Sequence, residues 1–192
     1  KETIGSDNVD KSKFDSELKE GLENLNINYT KKNIKQLWEY MRLLLKENNK
    51  YNLTNITEPT DIIKKHFLDS LAPLSELNIS SSAVILDLGT GPGFPGMVWK
   101  IFFPENKFVL IDSTLKKVNF LKLLSARLEI FSDIEILHGR AEDLADKMQY
   151  RENFDIVLAR AVAPLNILAE YTKKVARKGF LLYYYKEPYF KK

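Results

Sequence analysis

Residues 84–96 read VILDLGTGPGFPG, an apolar run that passes through Asp87 into a turn holding four glycines, Gly89, Gly91, Gly93 and Gly96. A strand that ends in such a turn and runs into a helical stretch fits an open α/β sheet, where ligands sit at the carboxyl edge of the strands. Glycine has no Cβ, so the backbone there can approach a ligand closely. The segment therefore points to a cofactor site. A dinucleotide pyrophosphate is held by backbone N–H groups of the turn and of the next helix. Pro92 and Pro95 each remove one such donor. The spacing Gly91-x-Gly93-x-x-Gly96 matches the dinucleotide pattern, but it starts two residues after Gly89, with Asp87 just ahead of the turn. S-adenosylmethionine carries no phosphate; it offers a sulfonium, an amino group, a carboxylate and a ribose. The turn favours this methyl donor, and NAD stands as the alternative.

The chain before residue 78 reads as helices. Phe14, Leu18 and Leu22 form one short stripe. Thr30 is placed to cap a helix in which Ile34, Leu37, Trp38, Met41, Leu44 and Leu45 recur at helical spacing. A third helix starts near Pro59 and carries Ile62, Ile63, Phe67, Leu68 and Leu71. The period then changes. Strands are expected over 84–88, 108–112, 134–138, 154–159 and 180–185, and helices over 96–103, 115–128 and 164–177, with a shorter helical turn over 140–145. This alternation predicts a doubly wound, mostly parallel twisted sheet with helices on both faces. Residues 1–78 are expected to form an N-terminal helical cap region and 79–192 the cofactor-binding core. A chain of 192 residues that is 44% hydrophobic has material for one compact domain overall.

Composition excludes several classes. The absence of cysteine rules out a disulfide framework and a cysteine zinc site, and two histidines argue against a catalytic metal. A formal net charge of +3 permits a polyanionic partner without demanding one. The N-terminal segment is polar, with no signal-peptide core, and no apolar run is long enough to span a bilayer. The chain reads as soluble, cytoplasmic and monomeric. Because it opens on Lys1, the initiator region is expected to be missing.

Topology gives individual residues a meaning. Asp112 closes the second strand about 20 residues after the first glycine, where an acid accepts the hydroxyls of an adenosine ribose; capping the helix that begins near Ser113 is the other role open to it. Ala141 and Glu142 follow the third strand where an adenine would lie, and a helix start with acids in its first turn explains them equally well. At the end of the fourth strand, amine-directed methyltransferases carry Asn or Asp followed by two prolines and an aromatic residue. Here residues 158–164 read LARAVAP. An exocyclic amine is thus disfavoured as acceptor. A ring nitrogen such as guanine N7 exposes a lone pair and loses no proton, so it needs positioning more than a base. Arg160 then reads as a positioning residue, against the alternative of a surface arginine.

Six motifs in order resemble the glucose-inhibited division protein B family: Asn52 to Ile56, Lys65-His66-x-Leu68-Asp69-Ser70, residues 87–96, Ile111-Asp112-Ser113 with Lys116-Lys117, Gly139-Arg140-Ala141-Glu142, and Ala159-Arg160-Ala161. The resemblance implies a Rossmann-like class I S-adenosylmethionine-dependent methyltransferase that places a methyl group on N7 of a decoding-region guanine in 16S ribosomal RNA. It also implies cofactor contacts at Gly89, Phe94, Ala141, Glu142 and Arg160; Asp112 is added from the ribose argument, and Asp87 and Gly91 from the turn itself. The family usually has arginine where Lys65 stands, which keeps the charge and loses the bidentate fork. It also continues past the fifth strand with a helix and a strand hairpin that are expected to be missing after Lys186.

On the substrate side, Lys64, Lys65, His66, Lys116 and Lys117 are candidate contacts to 16S RNA or the small ribosomal subunit, and Lys173, Lys174, Arg177 and Lys178 could reach phosphates. Solvated helix faces explain each lysine pair as well. His66 on the apolar helix reads equally as a buried, hydrogen-bonded histidine. Tyr51, Asn52 and Thr54 either shape the pocket entrance or form a capped turn. Two rival classes stay open: an NAD-dependent oxidoreductase and a non-catalytic RNA-binding module.

Overall fold

A computed structural model describes residues 9–160 and 165–185. Five parallel strands, β1 Val84–Leu88, β2 Lys107–Asp112, β3 Ile134–His138, β4 Phe154–Arg160 and β5 Ala176–Tyr185, lie in the order β3-β2-β1-β4-β5. The order reverses between β1 and β4, which pair as far as Leu88 and Ala159, so the connections leaving their carboxyl ends run to opposite sides and open a crevice there. The strands are apolar runs because both faces of a parallel sheet are covered. Successive side chains alternate: Ile85, Phe108 and Leu110 enter one core cluster, and Leu86, Leu88, Val109 and Ile111 enter the other.

The first cluster takes in the N-terminal helices. Helix α1, Lys11–Asn24, starts at Asp10, whose carboxylate accepts from the Ser12 and Lys13 N–H groups, and it buries Phe14, Leu18 and Leu22. Helix α2, Lys31–Tyr51, opens with a capping box between Thr30 and Asn33 and ends on Asn52 in the left-handed conformation. The expected α2 stripe is buried in full, and Tyr40 joins it. Each large side chain so buried contributes roughly 1.5–3 kcal/mol. The third helical stretch is not uniform. It runs as α3, Pro59–Ile62, a π-helical segment, Ile63–Leu68, and α4, Asp69–Leu71. Periodicity alone does not reveal the wide turn, because apolar residues on either side of it still face the core.

Helices α5 (Gly96–Phe102) and α6 (Leu115–Arg127) cover the same face as α2, while α7 (Ala141–Ala145) and α8 (Leu165–Val175) serve the other cluster. Strand β5 starts earlier than the expected 180: Ala176 pairs with Phe154, the register then shifts, and regular pairing resumes at Leu181 opposite Ile156. Residues 161–164, with Ala161 and Pro164 of the expected motif and helix start, and Lys186 onward lie outside the described residues. Among the described residues no helix is long and apolar enough to cross a membrane.

Candidate functional site

The glycine turn lies at the carboxyl end of β1, and its backbone donors are already taken. Thr90 N–H goes to Ile111 O at 3.0 Å, Gly93 and Phe94 N–H both go to Thr90 O at 3.0 and 2.8 Å, and Met97 N–H goes to Gly93 O at 2.9 Å. Gly91 N–H goes to Asp112 Oδ2 at 2.8 Å and Gly96 N–H to Asp87 Oδ2 at 2.7 Å. Positions 92 and 95 are prolines and have no N–H. From Thr90 to Met97, every donor is therefore used internally or missing. A phosphate would find no free backbone donor between Thr90 and Met97. The glycines serve two different ends. A Cβ on Gly96 would meet Leu110 Cδ2 at 2.4 Å and Asp87 Oδ2 at 2.6 Å, whereas a Cβ on Gly91, at φ +61°, would meet nothing within 4 Å.

Asp87 is fully buried beneath this turn. Among the described residues neither its Oδ1 nor the Thr90 hydroxyl makes a well-formed hydrogen bond. Burial pushes its carboxyl up to about 7, against the downward pull of the Thr90 hydroxyl, the Gly96 N–H and the Arg160 charge, while Asp112 adds to the rise. A carboxylate buried this deeply is costly, and a proton or a nearby cation relieves the cost.

Asp112 bridges two turns. Its Oδ2 takes the Gly91 N–H, its Oδ1 takes the Thr114 N–H at 2.8 Å, and Lys117 Nζ stands 3.9 Å away. The cap of α6 is Thr114, so Asp112 ties the β2–α6 turn without capping the helix. A carboxylate has about four lone-pair positions, so Asp112 keeps acceptor capacity. It lines a cleft of about 240 Å³ together with Gly89, Ala141 and Glu142 and with apolar Ile111, Ile167 and Leu168. Four of the expected cofactor residues thus meet in one place. Asp87, Gly91, Phe94 and Arg160 lie outside the lining of that cleft. A cavity of about 430 Å³ sits at the opposite, amino-terminal edge of β2 and β3. There Asn33, Gln36 and Lys100 already donate to the carbonyls of Ile101, Leu128, Pro104 and Asn106. Those side chains have little left to fix a ligand.

Phe94 is buried in a stack. Tyr40 lies parallel on one side, with centroids 5.2 Å apart, and His66 stacks on it at 4.2 Å. The Tyr40 hydroxyl donates to Pro92 O, tying α2 to the glycine turn, and burial pushes that phenol well above its usual range. Arg160, at the end of β4, places its guanidinium 5.3 Å from the Phe94 ring centre. Its Nη1 donates to Asp69 Oδ2 at 3.2 Å and to Lys65 O at 3.4 Å, and its Nη2 meets His66 Nδ1 at 3.3 Å. His66 is buried, and desolvation and then the Arg160 charge lower it to about 3, so the ring is neutral.

The RNA candidates separate into two kinds. His66 takes the buried, hydrogen-bonded role of its two expected ones. Lys64 and Lys116 are exposed, Lys65 pairs with Asp61 at 2.9 Å, and Lys117 leans toward Asp112. Lys174 and Arg177 pair with Asp146 and Asp155. Asn52 is the left-handed cap of α2, while the Thr54 hydroxyl accepts from Ile56 N–H and meets His66 Nε2 at 3.0 Å. Motif reading did not single out Tyr40, Asp69 and Thr90 as site residues. The signal for Asp69 was its place three residues after His66 on an otherwise apolar helix face.

The sequence model described as rRNA small subunit methyltransferase G (GidB) matches residues 33–191. The "Ribosomal RNA small subunit methyltransferase G" of Caldanaerobacter subterraneus subsp. tengcongensis is 46% identical over 162 residues, covering 84% of this chain and 67% of that one. The protein of the same description from Mycoplasma capricolum is 51% identical over 148 residues, covering 77% and 61%. The chain thus spans about three fifths to two thirds of the length of the curated relatives it matches. Among solved structures, a SAM-dependent methyltransferase from Thiobacillus denitrificans in complex with S-adenosyl-L-homocysteine superimposes with a TM-score of 0.51 at 16% identity, covering 60% of this chain and 47% of that one. That likeness gives the class I methyltransferase fold. At the sequence identities and span of the curated relatives, the chain belongs to the rRNA small subunit methyltransferase G family.

Proposed function

We propose that this chain binds S-adenosylmethionine at the carboxyl edge of β1–β3 and methylates N7 of a guanine in 16S ribosomal RNA. The observation that carries the cofactor reading is the glycine turn with its donors from Thr90 to Met97 occupied, set above the buried Asp87 carboxyl. Such a turn refuses phosphate and suits a ligand whose amino end is cationic. The residues present fit that ligand. Asp87 would answer its ammonium, Gly89 and Gly91 would let it approach the backbone, and Asp112 would accept from its ribose. Ala141, Glu142, Ile167 and Leu168 would enclose its base. Bound, S-adenosylmethionine supplies a methyl group on a sulfonium, which a nitrogen lone pair can take with no proton removed.

Guanine N7 suits what the chain offers at β4. Arg160 stands where amine-directed enzymes carry their acceptor side chains, and a guanidinium donates hydrogen bonds but accepts none. It can orient a base and hold its charge, and it cannot remove an amine proton. The family description of the relatives supports an RNA substrate. Lys64 and Lys116 would meet its phosphates, where contacts position without reading sequence. We place the protein in the cytoplasm, acting as a monomer on 16S RNA or on the small subunit, with residues 1–78 as a helical cap beside the core.

Incubation with labelled S-adenosylmethionine and either naked 16S RNA or assembled small subunits should yield N7-methylguanine, mapped by chemical cleavage. Tight NAD binding with no heat signal from S-adenosylhomocysteine would sink the cofactor reading. Label on an exocyclic amine would sink the N7 reading alone.

A further inference from the structure

We propose that Asp69 and His66 are positioning residues that hold the Arg160 guanidinium in one orientation at the end of β4, so that its charge and its uncommitted N–H groups serve methyl transfer. The consequence for methyl transfer rests on the function proposed above; the clamp itself rests on geometry. A free arginine side chain carries about 2 kcal/mol of rotamer entropy. Here three groups and a ring face restrict it. The Asp69 carboxylate, 1% exposed, supplies the counter-charge; the Lys65 carbonyl takes a second bond; His66 Nδ1 takes a third; and Phe94 lies beneath. Of five guanidinium N–H groups, three are thereby used within the described residues.

The imidazole has no freedom in this arrangement. Arginine only donates, so Nδ1 must accept and the ring proton must sit on Nε2, where it reaches the Thr54 hydroxyl. A charged ring would set N–H against N–H, and the burial that lowers His66 to about 3 keeps it an acceptor throughout the physiological range. The π-helical segment contributes as well. A wide turn breaks the regular i→i+4 pairing, and the Lys65 carbonyl inside it turns to Arg160. Asp69 and His66, three residues apart, share the helix face that meets β4. These residues bring a counter-ion, a neutral acceptor and a carbonyl to one guanidinium across more than ninety residues of sequence.

Two measurements on the full chain test this. In ¹⁵N spectra, the Arg160 side-chain signals, identified by their loss in Arg160→Lys, should be protected from exchange, and His66 should show a bare Nδ1. Asp69→Asn and His66→Leu should remove the protection, while His66→Gln, whose carbonyl oxygen still accepts, should retain it. In methyl transfer to small subunits, Asp69→Asn should lower kcat by about 10- to 100-fold. In an Arg160→Ala background the same change should add nothing further, because Asp69 acts only through Arg160. Independent, multiplying losses, or unchanged Arg160 signals in Asp69→Asn and His66→Leu, would overturn the clamp. If Asp69→Asn does not fold, the comparison of His66→Leu with His66→Gln decides the same question. Spectra that behave as expected in a protein that methylates neither RNA form would leave the clamp standing and remove the proposed function.

Discussion

Asp87 shows how a single buried group joins stability to binding. Its carboxyl, ordinarily near 3.8, is pushed up to about 7 by burial, with Thr90, Gly96, Arg160 and Asp112 around it. The folded chain therefore holds a proton that the unfolded chain releases above 3.8. The stabilisation is full below that value and is lost as pH rises to about 7, where it has cost up to about 4 kcal/mol. Denaturant melts at pH 8 should find Asp87→Asn more stable than the parent chain. Calorimetry should find the parent's affinity for S-adenosylhomocysteine rising from pH 5.5 to 8, and that rise should vanish in the Asn variant. A neighbouring pair of glycines separates fold from function in the same way. Gly96→Ala overpacks against Leu110 and Asp87 and should cost about 1–3 kcal/mol in urea melts. Gly91→Ala meets open space; the left-handed backbone costs only about 1–2 kcal/mol, so its main effect should be a loss of ligand affinity of about tenfold or more. The sequence announced a special turn here through its glycines and prolines. Which glycine packs and which stands beside open space depends on Leu110, distant in sequence, and so could not be read locally.

At the level of elements, period and punctuation carried most of the information. β1 and β3 keep the expected limits, and β2 and β4 differ by one residue at an end, because alternation and flanking turns mark buried strands clearly. The π-helical segment and the early start of β5 escaped that reading. Tertiary partners meet both: Arg160 donates to the Lys65 carbonyl within the first, and the second follows the shifted pairing with β4. The loop before β2 is held by an equally non-local device. Lys100, 2% exposed, donates to the carbonyls of Pro104 and Asn106, both at 2.7 Å, and Asn106 donates to Ser80 and Ala83. Lys100→Met keeps the stem and removes the ammonium, leaving two carbonyls unanswered. It should destabilise the chain by about 2–4 kcal/mol in urea melts, with ligand affinity changed less than threefold.

Across the whole molecule, the N-terminal helices and one face of the sheet share a single apolar cluster. Phe14 of α1 meets Trp38 edge-on at 5.1 Å and Phe67 at 6.4 Å, and Tyr40 continues the aromatic chain to Phe94 beside the turn. Phe14→Ala should therefore cost about 3–5 kcal/mol and lower the melting of the sheet together with that of the helices. Coincident transitions by far- and near-ultraviolet circular dichroism would establish this; a separate early loss of helix would refute it. Sequence spacing announced three amphipathic helices but not what they cover, since an apolar stripe does not name its partner.

The glycine turn, with its donors closed upon itself, also has a meaning for a cell crowded with other adenosine compounds. Adenine nucleotides and nicotinamide cofactors share a base and a sugar with a methyl donor, so a cleft that judged ligands by those parts alone would be jammed by the commoner molecules. The difference lies at the 5′ end. There the turn from Thr90 to Met97 keeps its amides for its own bonds and Asp112 lines the cleft, so a polyanion gains no hydrogen bond from that stretch of backbone. On the proposed function, selectivity among nucleosides would come from what the loop withholds.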